Sequence, residues 1–199
     1  LSKTYRQYID KLPKPSGALV FYGVITRSSL LINCPNHIQI YDEHFGSVFI
    51  SISMEDDQRA PAGMATLIAS AFVDVDEWSN LDNQSYTKKK KIVFQQIITI
   101  LNNQLALIES NWVHKEFSTP RSFERWTGRP EGIVGGLGQH PNQFGPFGLS
   151  SRTPLQGLWL CGDSIYPGEG TAGVSQSAMM AVRQLMEQKG RHLNIPDFN

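Results

Sequence analysis

Charged side chains are scarce in this sequence: they make up 18% of its 199 residues, against roughly 25% in an ordinary globular domain. The 18 basic and 18 acidic groups cancel, which argues against a general nucleic-acid binder, since that function needs a clustered positive face. One dense basic run occurs, Lys88 to Lys91, and at the start of a helix it reads as a solvated face. Cysteine is nearly missing. Cys34 and Cys161 stand far apart, which excludes a disulfide framework and suits a reducing compartment. The histidines (His37, His44, His114, His140 and His192) are scattered, and with no HxxxH or CxxC spacing no metal site is expected. Long hydrophobic runs are lacking too. The longest apolar helical stretch, Ile92 to Ile108, is interrupted by Gln95, Gln96, Asn102, Asn103 and Gln104, so no membrane span is expected. No signal peptide is seen, and the chain opens at Leu1 in mid-pattern, which reads as a piece of a longer protein.

A hydrophobic content of 40% excludes a disordered chain, and the length allows one domain or two small ones with a self-sufficient core. Glycine divides the sequence. Twelve of the 17 glycines lie between Gly128 and Gly173, together with Pro130, Pro141, Pro146, Pro154 and Pro167. The composition therefore changes near Thr119-Pro120, giving regions 1–119 and 120–199.

The first region mixes strands with helix. Residues 3–11 read as a helix stopped by Pro13 and Pro15. Ala18 to Thr26 is aromatic and β-branched, the composition of a buried strand. His37 to Tyr41 and Ser47 to Ser53 flank a turn and form a hairpin, with Val48, Ile50 and Ile52 on one face. Met54 to Gly63 is a polar loop, and Ala65 to Val73 returns as a strand. Phe94, Ile97, Ile98, Leu101, Leu105 and Ile108 then make one helical stripe, with Ser85 as the expected N-cap, and Asn111 to Ser118 is a further strand. These elements predict an α+β fold (α/β overall) with a mixed sheet.

The second region carries the chemistry. Leu158 to Cys161 reads as a short strand ended by Gly162-Asp163, followed by a loop to Gly170 and a helix over Thr171 to Lys189. Gly168, Gly170 and Gly173 spell GxGxxG, but the loop is long and no second strand follows the helix, so this is no dinucleotide pyrophosphate loop. Backbone N–H groups at a helix start carry partial positive charge and favour an electron-rich acceptor, for example one edge of a flavin ring. Asp163, at a strand end, suits ligand hydroxyls. The residues alone leave a plain strand-loop-helix turn capped by Asp163 equally open.

The run Gly157 to Leu185 (GLWLCGDSIYPGEGTAGVSQSAMMAVRQL) resembles the C-terminal flavin motif of carotenoid desaturases and isomerases, the phytoene-desaturase branch of the FAD-dependent amine-oxidase-like superfamily. Asp57 to Gly63 and Thr119 to Gly128 agree with that family, and Gly135 to Pro141 brings the chain nearest to cyanobacterial-type carotenoid 3',4'-desaturase-like proteins. The resemblance implies a substrate-binding portion over 1–119 and, over 120–199, a return to a split FAD-binding domain. It implies that Gly162 and Asp163 meet the ribityl–pyrophosphate part of FAD, and that Gly170, Thr171, Ala172 and Gly173 lie against the flavin ring. The family's N-terminal dinucleotide fingerprint is not in this sequence.

The implied activity is desaturation of a carotenoid by hydride transfer to FAD, or cis–trans isomerisation with reduced FAD. An amine-oxidase-like flavoenzyme, with Trp159 and Tyr166 as cage candidates, and a non-enzymatic carotenoid or lipid carrier are the alternatives. No catalytic base stands out; His140 and Glu169 are the titratable candidates. The further expectations are a cytoplasmic protein in peripheral contact with membranes, and an isolated fragment that is inactive, largely flavin-free and self-associating without its N-terminal partner segment.

Overall fold

The computed structural model describes residues 2–138 and 147–192. These fall into two compact units, Ser16–Val134 and the described parts of Leu1–Pro15 with Gly135–Asn199. The units part between Val134 and Gly135, after the compositional change at Thr119-Pro120.

The unit Ser16–Val134 contains strands β1 (Gly17–Thr26), β2 (His37–Asp42), β3 (Gly46–Ile52), β4 (Met64–Val73) and β5 (Trp112–Ser118). The remaining helix in Leu1–Pro15, α1, covers Lys3–Ile9, and α2 (Asp76–Ser79), α3 (Asn83–Leu105) and α4 (Pro120–Thr127) belong to the sheet unit. With both a sheet and long helices, the fold is α+β. The strand order is β2-β3-β4-β1-β5. Every pairing is antiparallel, so the expected mixed sheet is corrected. Although α3 connects β4 to β5, those two strands are not neighbours: β1 lies between them and pairs antiparallel with each.

Alternation along the strands sets the core face. Leu19, Phe21 and Ile25 of β1, Val48, Ile50 and Ile52 of β3, and Ala65, Leu67, Ala69 and Ala71 of β4 form one buried cluster with Val93, Ile97, Ile98, Leu101 and Leu105 of α3. The alanines of β4 leave room for the helix, and the aromatic rings fill the end near β5. Phe21 meets Trp112 edge-on at 5.2 Å and stacks on Phe94 at 5.8 Å. Gly23 is required there, because a Cβ would stand 2.6 Å from the Trp112 ring. The buried indole N–H of Trp112 donates to Asn102 Oδ1 at 2.9 Å, which meets the need of a polar group taken out of water.

Asp82, not Ser85, caps α3. Its Oδ1 accepts from the backbone N–H groups of Gln84 (2.8 Å) and Ser85 (3.0 Å), and the Ser85 hydroxyl donates to Oδ2 at 2.7 Å. The carboxylate three residues upstream of Ser85 takes those donors ahead of a serine hydroxyl. The stripe also ends earlier than expected. Ala106 turns left-handed (φ 53°), and Ile108 lies beyond the helix, exposed. Within the lysine run, Lys89 pairs with Glu77 at 2.9 Å and lies over the Trp78 ring.

The opposite face of the sheet is open and mixed: Phe49, Ile68 and Phe72 are exposed, with Tyr22 and Val24 half-buried beside them, and they are paired with Ser51, Ser70, Thr66 and Glu116. Burial, followed by the charge of neighbouring Glu116, pushes the Tyr22 phenol up. Among the described residues no helix is long and apolar enough to cross a membrane, and both cysteines are free.

Candidate functional site

The second unit is organised around helix α5 (Gly170–Gln188), whose alanines, methionines and leucine are strong helix formers. Little regular structure precedes it. The segment 158–161, expected as a strand, forms a single bridge, Arg152 to Trp159. A strand needs a ladder, and among the described residues this segment has only isolated bonds: Leu160 N donates to Ser151 O and Ser151 Oγ donates to Leu160 O, both at 2.8 Å, and Thr153 Oγ1 donates to Leu158 O at 3.0 Å. The expected strand-loop-helix is therefore an extended bridge, a turn and a helix.

That turn carries Gly162 and Asp163. Gly162 has φ 122°, a conformation open to glycine, and its N–H donates to Ser177 Oγ at 2.9 Å. Ser177, fully buried in the third turn of α5, donates in turn to Val174 O at 2.8 Å. The Gly162–Asp163 corner is thus pinned to the helix by one hydroxyl. Ile165 is buried, and its N–H closes the turn onto Gly162 O at 3.2 Å. Asp163 is half-buried, with Ser164 Oγ 3.4 Å from its Oδ1. A crevice beside it, lined by Leu12, Leu137, Leu149 and Tyr166 among others, holds about 30 Å³, the space of roughly one water. A flavin ring would have to lie on the open surface rather than in it.

The three glycines of the GxGxxG spelling divide their work. Gly173 packs on Gly168, where a Cβ would come 2.5 Å from the Gly168 carbonyl oxygen; this lets the first turn of α5 close on its own loop. Gly170 has φ 81° and no atom within 4 Å of a notional Cβ. Gly170, Thr171 and Ala172 are all exposed, and Glu169, the residue before the helix, makes no capping hydrogen bond to it. The N–H groups of the helix start therefore face outward with no side-chain acceptor from their cap. This arrangement fits a planar, electron-rich group such as a flavin edge.

Glu169 itself turns away, and its Oε1 accepts from Gly136 N at 3.0 Å. His140, with Gln139 and Pro141, lies outside the described residues. Trp159 is not brought to the helix start. It lines a groove with Gln184, Glu187 and Gln188, about four to five turns along α5 from Gly170 at about 3.6 residues per turn. Tyr166 is exposed in the turn before the helix, so the two rings do not form a cage.

The sequence reading missed two features. Ser177 looked like one small residue among several, and its pairing with Gly162 has no spacing signature. The Glu169 link to Gly136 joins residues far apart in the chain.

No family model matches the chain. Curated relatives do. The chain is 30% identical over 155 residues to "Prolycopene isomerase, chloroplastic" of Daucus carota, covering 76% of this chain and 25% of that protein. It is 31% identical over 164 residues to the Arabidopsis thaliana protein of the same name, covering 77% and 27%. A third, "Prolycopene isomerase 2, chloroplastic" of an Oncidium hybrid cultivar, is 29% identical over 155 residues, covering 76% and 26%. The chain is similar to prolycopene isomerases. It spans about a quarter of the length of these relatives. The likeness agrees with the carotenoid isomerase and desaturase resemblance, and no 3',4'-desaturase is among these relatives.

Proposed function

We propose that this chain is part of a flavin-dependent carotenoid isomerase. The observation that carries the reading is the similarity to prolycopene isomerases over three quarters of the chain, joined to a helix start whose geometry suits a flavin edge. Gly170, Thr171 and Ala172 would donate backbone N–H groups to the flavin ring, and Gly162 with Asp163 would meet the ribityl–pyrophosphate part. The Asp163 carboxylate accepts hydrogen bonds from ligand hydroxyls, and Gly173 keeps the loop closed beneath the ring. When bound, FAD supplies the redox chemistry: reduced, it supports isomerisation, and oxidised, it accepts a hydride in desaturation. This chain's residues orient it, and no side chain here is assigned a proton. The open face of the sheet, with Phe49, Ile68 and Phe72 exposed, suits a long polyene. A polyene partitions into bilayers, so the protein would work in peripheral contact with a membrane.

Product analysis tests the reading. The full-length protein, with reduced FAD and a cis-configured carotenoid, should yield a geometric isomer of unchanged mass. With oxidised FAD supplied as the hydride acceptor, a product lighter by two hydrogens would instead make it a desaturase, the reading favoured by the Gly135–Pro141 motif. Full-length protein that binds carotenoid but no flavin would make it a carrier. Asp163→Ala should weaken FAD binding by about one to two powers of ten, the loss of a charged hydrogen bond.

A further inference from the structure

Glu169 occupies the position from which an acidic side chain ordinarily turns back onto the free N–H groups of the helix that follows. It makes no such bond. Its carboxylate instead accepts from Gly136 N at 3.0 Å and lies over Gly135, where a Cβ would stand 2.5 Å from Oε1. Gly135 has φ 69°, a turn after which the Gly136 N–H meets the carboxylate. The same short strap is held from its other side. A Cβ on Gly136 would come 2.3 Å from the Asp163 carbonyl oxygen, and Leu137 N donates to Ser164 Oγ at 3.2 Å. Residues 135–137 therefore contact both halves of the candidate site, the Asp163–Ser164 turn and the residue that opens α5.

We propose that Glu169 is a positioning residue: its carboxylate clasps the Gly135–Gly136 strap, which fixes the Asp163 turn relative to the start of α5 and holds the carboxylate's own charge off the helix N–H groups. The inference rests on the flavin reading. It gives the glutamate a role other than the proton carrier suggested by its titratable side chain. Losing the clasp has two consequences for an electron-rich ligand. The two halves of its site lose their common tie, and a glutamate released from the strap can swing round and take the helix start for itself.

The test is FAD titration of deflavinated full-length protein, followed by flavin fluorescence, with thermal melts of the flavin-free forms alongside. Glu169→Gln keeps the accepting oxygen and should bind within about threefold of wild type. Glu169→Ala loses the clasp and should bind about tenfold more weakly, the loss of one charge-assisted hydrogen bond at an exposed site. Gly135→Ala keeps the glutamate but expels its carboxylate from the strap, so it should weaken binding at least as much. Equal affinity in wild type, Gln and Ala forms, with only the melt lowered, would overturn the proposal and leave Glu169 as structural. Tighter binding by both Glu169 variants would overturn it too, showing a merely repulsive charge. Wild type that takes up no FAD would instead remove the flavin reading itself, which separates that failure from this one.

Discussion

Replacing Ser177 by alanine removes one oxygen from a fully buried position and isolates what that oxygen does. The Ser177 hydroxyl accepts from Gly162 N at 2.9 Å and donates to Val174 O at 2.8 Å. Without it the Gly162 N–H loses its acceptor, at a cost of roughly 1–3 kcal/mol for a buried donor. Gly162 is only half-buried, so water recovers part of the loss and about 1–2 kcal/mol remains. Alanine is the better helix former by about 0.5 kcal/mol. The net destabilisation of the α5 unit should thus be about 1 kcal/mol. Urea denaturation should show a lower midpoint with an unchanged slope. Ser175→Ala, at an exposed position of the same helix, should be no less stable than wild type. In the full-length protein Ser177→Ala should also weaken FAD binding, because the Gly162–Asp163 corner is no longer fixed to α5. If Ser177→Ala proves as stable as Ser175→Ala, the pin between the turn and the helix is not a stabilising contact and the reasoning fails.

Leu101→Ala, at a fully buried position of α3, should cost about 2–5 kcal/mol, whereas Ile108→Ala, at the exposed end of the sequence stripe, should stay within about 0.5 kcal/mol of wild type; chemical denaturation of both checks the contrast. The Arg59 guanidinium holds the Asp57 carboxyl down at about 2, with Arg59 Nε donating to Oδ2 at 2.7 Å. A lowered carboxyl value stabilises above its ordinary 3.8 and ceases to as the pH falls toward 2. The Met54 and Arg59 amides that donate to Asp57 should therefore lose their protected NMR signatures across that window, and Asp57→Asn should abolish the transition. Of the two thiols, Cys161 is exposed, while burial pushes the Cys34 thiol up. Iodoacetamide should alkylate Cys161 first, read by mass spectrometry of the digested protein.

What was legible in the sequence was the local pattern. The alternation of Val48, Ile50 and Ile52 and the stripe from Phe94 to Leu105 each put their residues into the core, because one buried face imposes its period on the chain. What was not legible depends on partners far away. The antiparallel sheet follows from β1 coming between β4 and β5, which no spacing near β4 or β5 announces. The 158–161 segment has a strand's composition but meets only one bridging neighbour. Ser85 is a good cap by type, and Asp82 outcompetes it through charge. At the candidate site Gly170 and Asp163 were visible as residue types. The hydroxyl of Ser177 and the carboxylate of Glu169, which hold those features in place, were not, since each reaches a backbone N–H remote in sequence.

The place of β1 between β4 and β5 has a consequence for how the sheet is made. As the chain leaves the ribosome β1 emerges before the other strands of this sheet, yet its two neighbours, β4 and β5, come later, and Val20 waits for Ser118. The β2–β3–β4 meander can assemble from contacts close in sequence, and β1 can then add to its edge through β4. The other side of β1 stays unpaired until α3 and β5 have been synthesised, an open hydrogen-bonding edge on a strand rich in Val, Ile and Phe. During that interval this edge of the nascent sheet is open to pairing with another chain, and the arrival of β5 closes it.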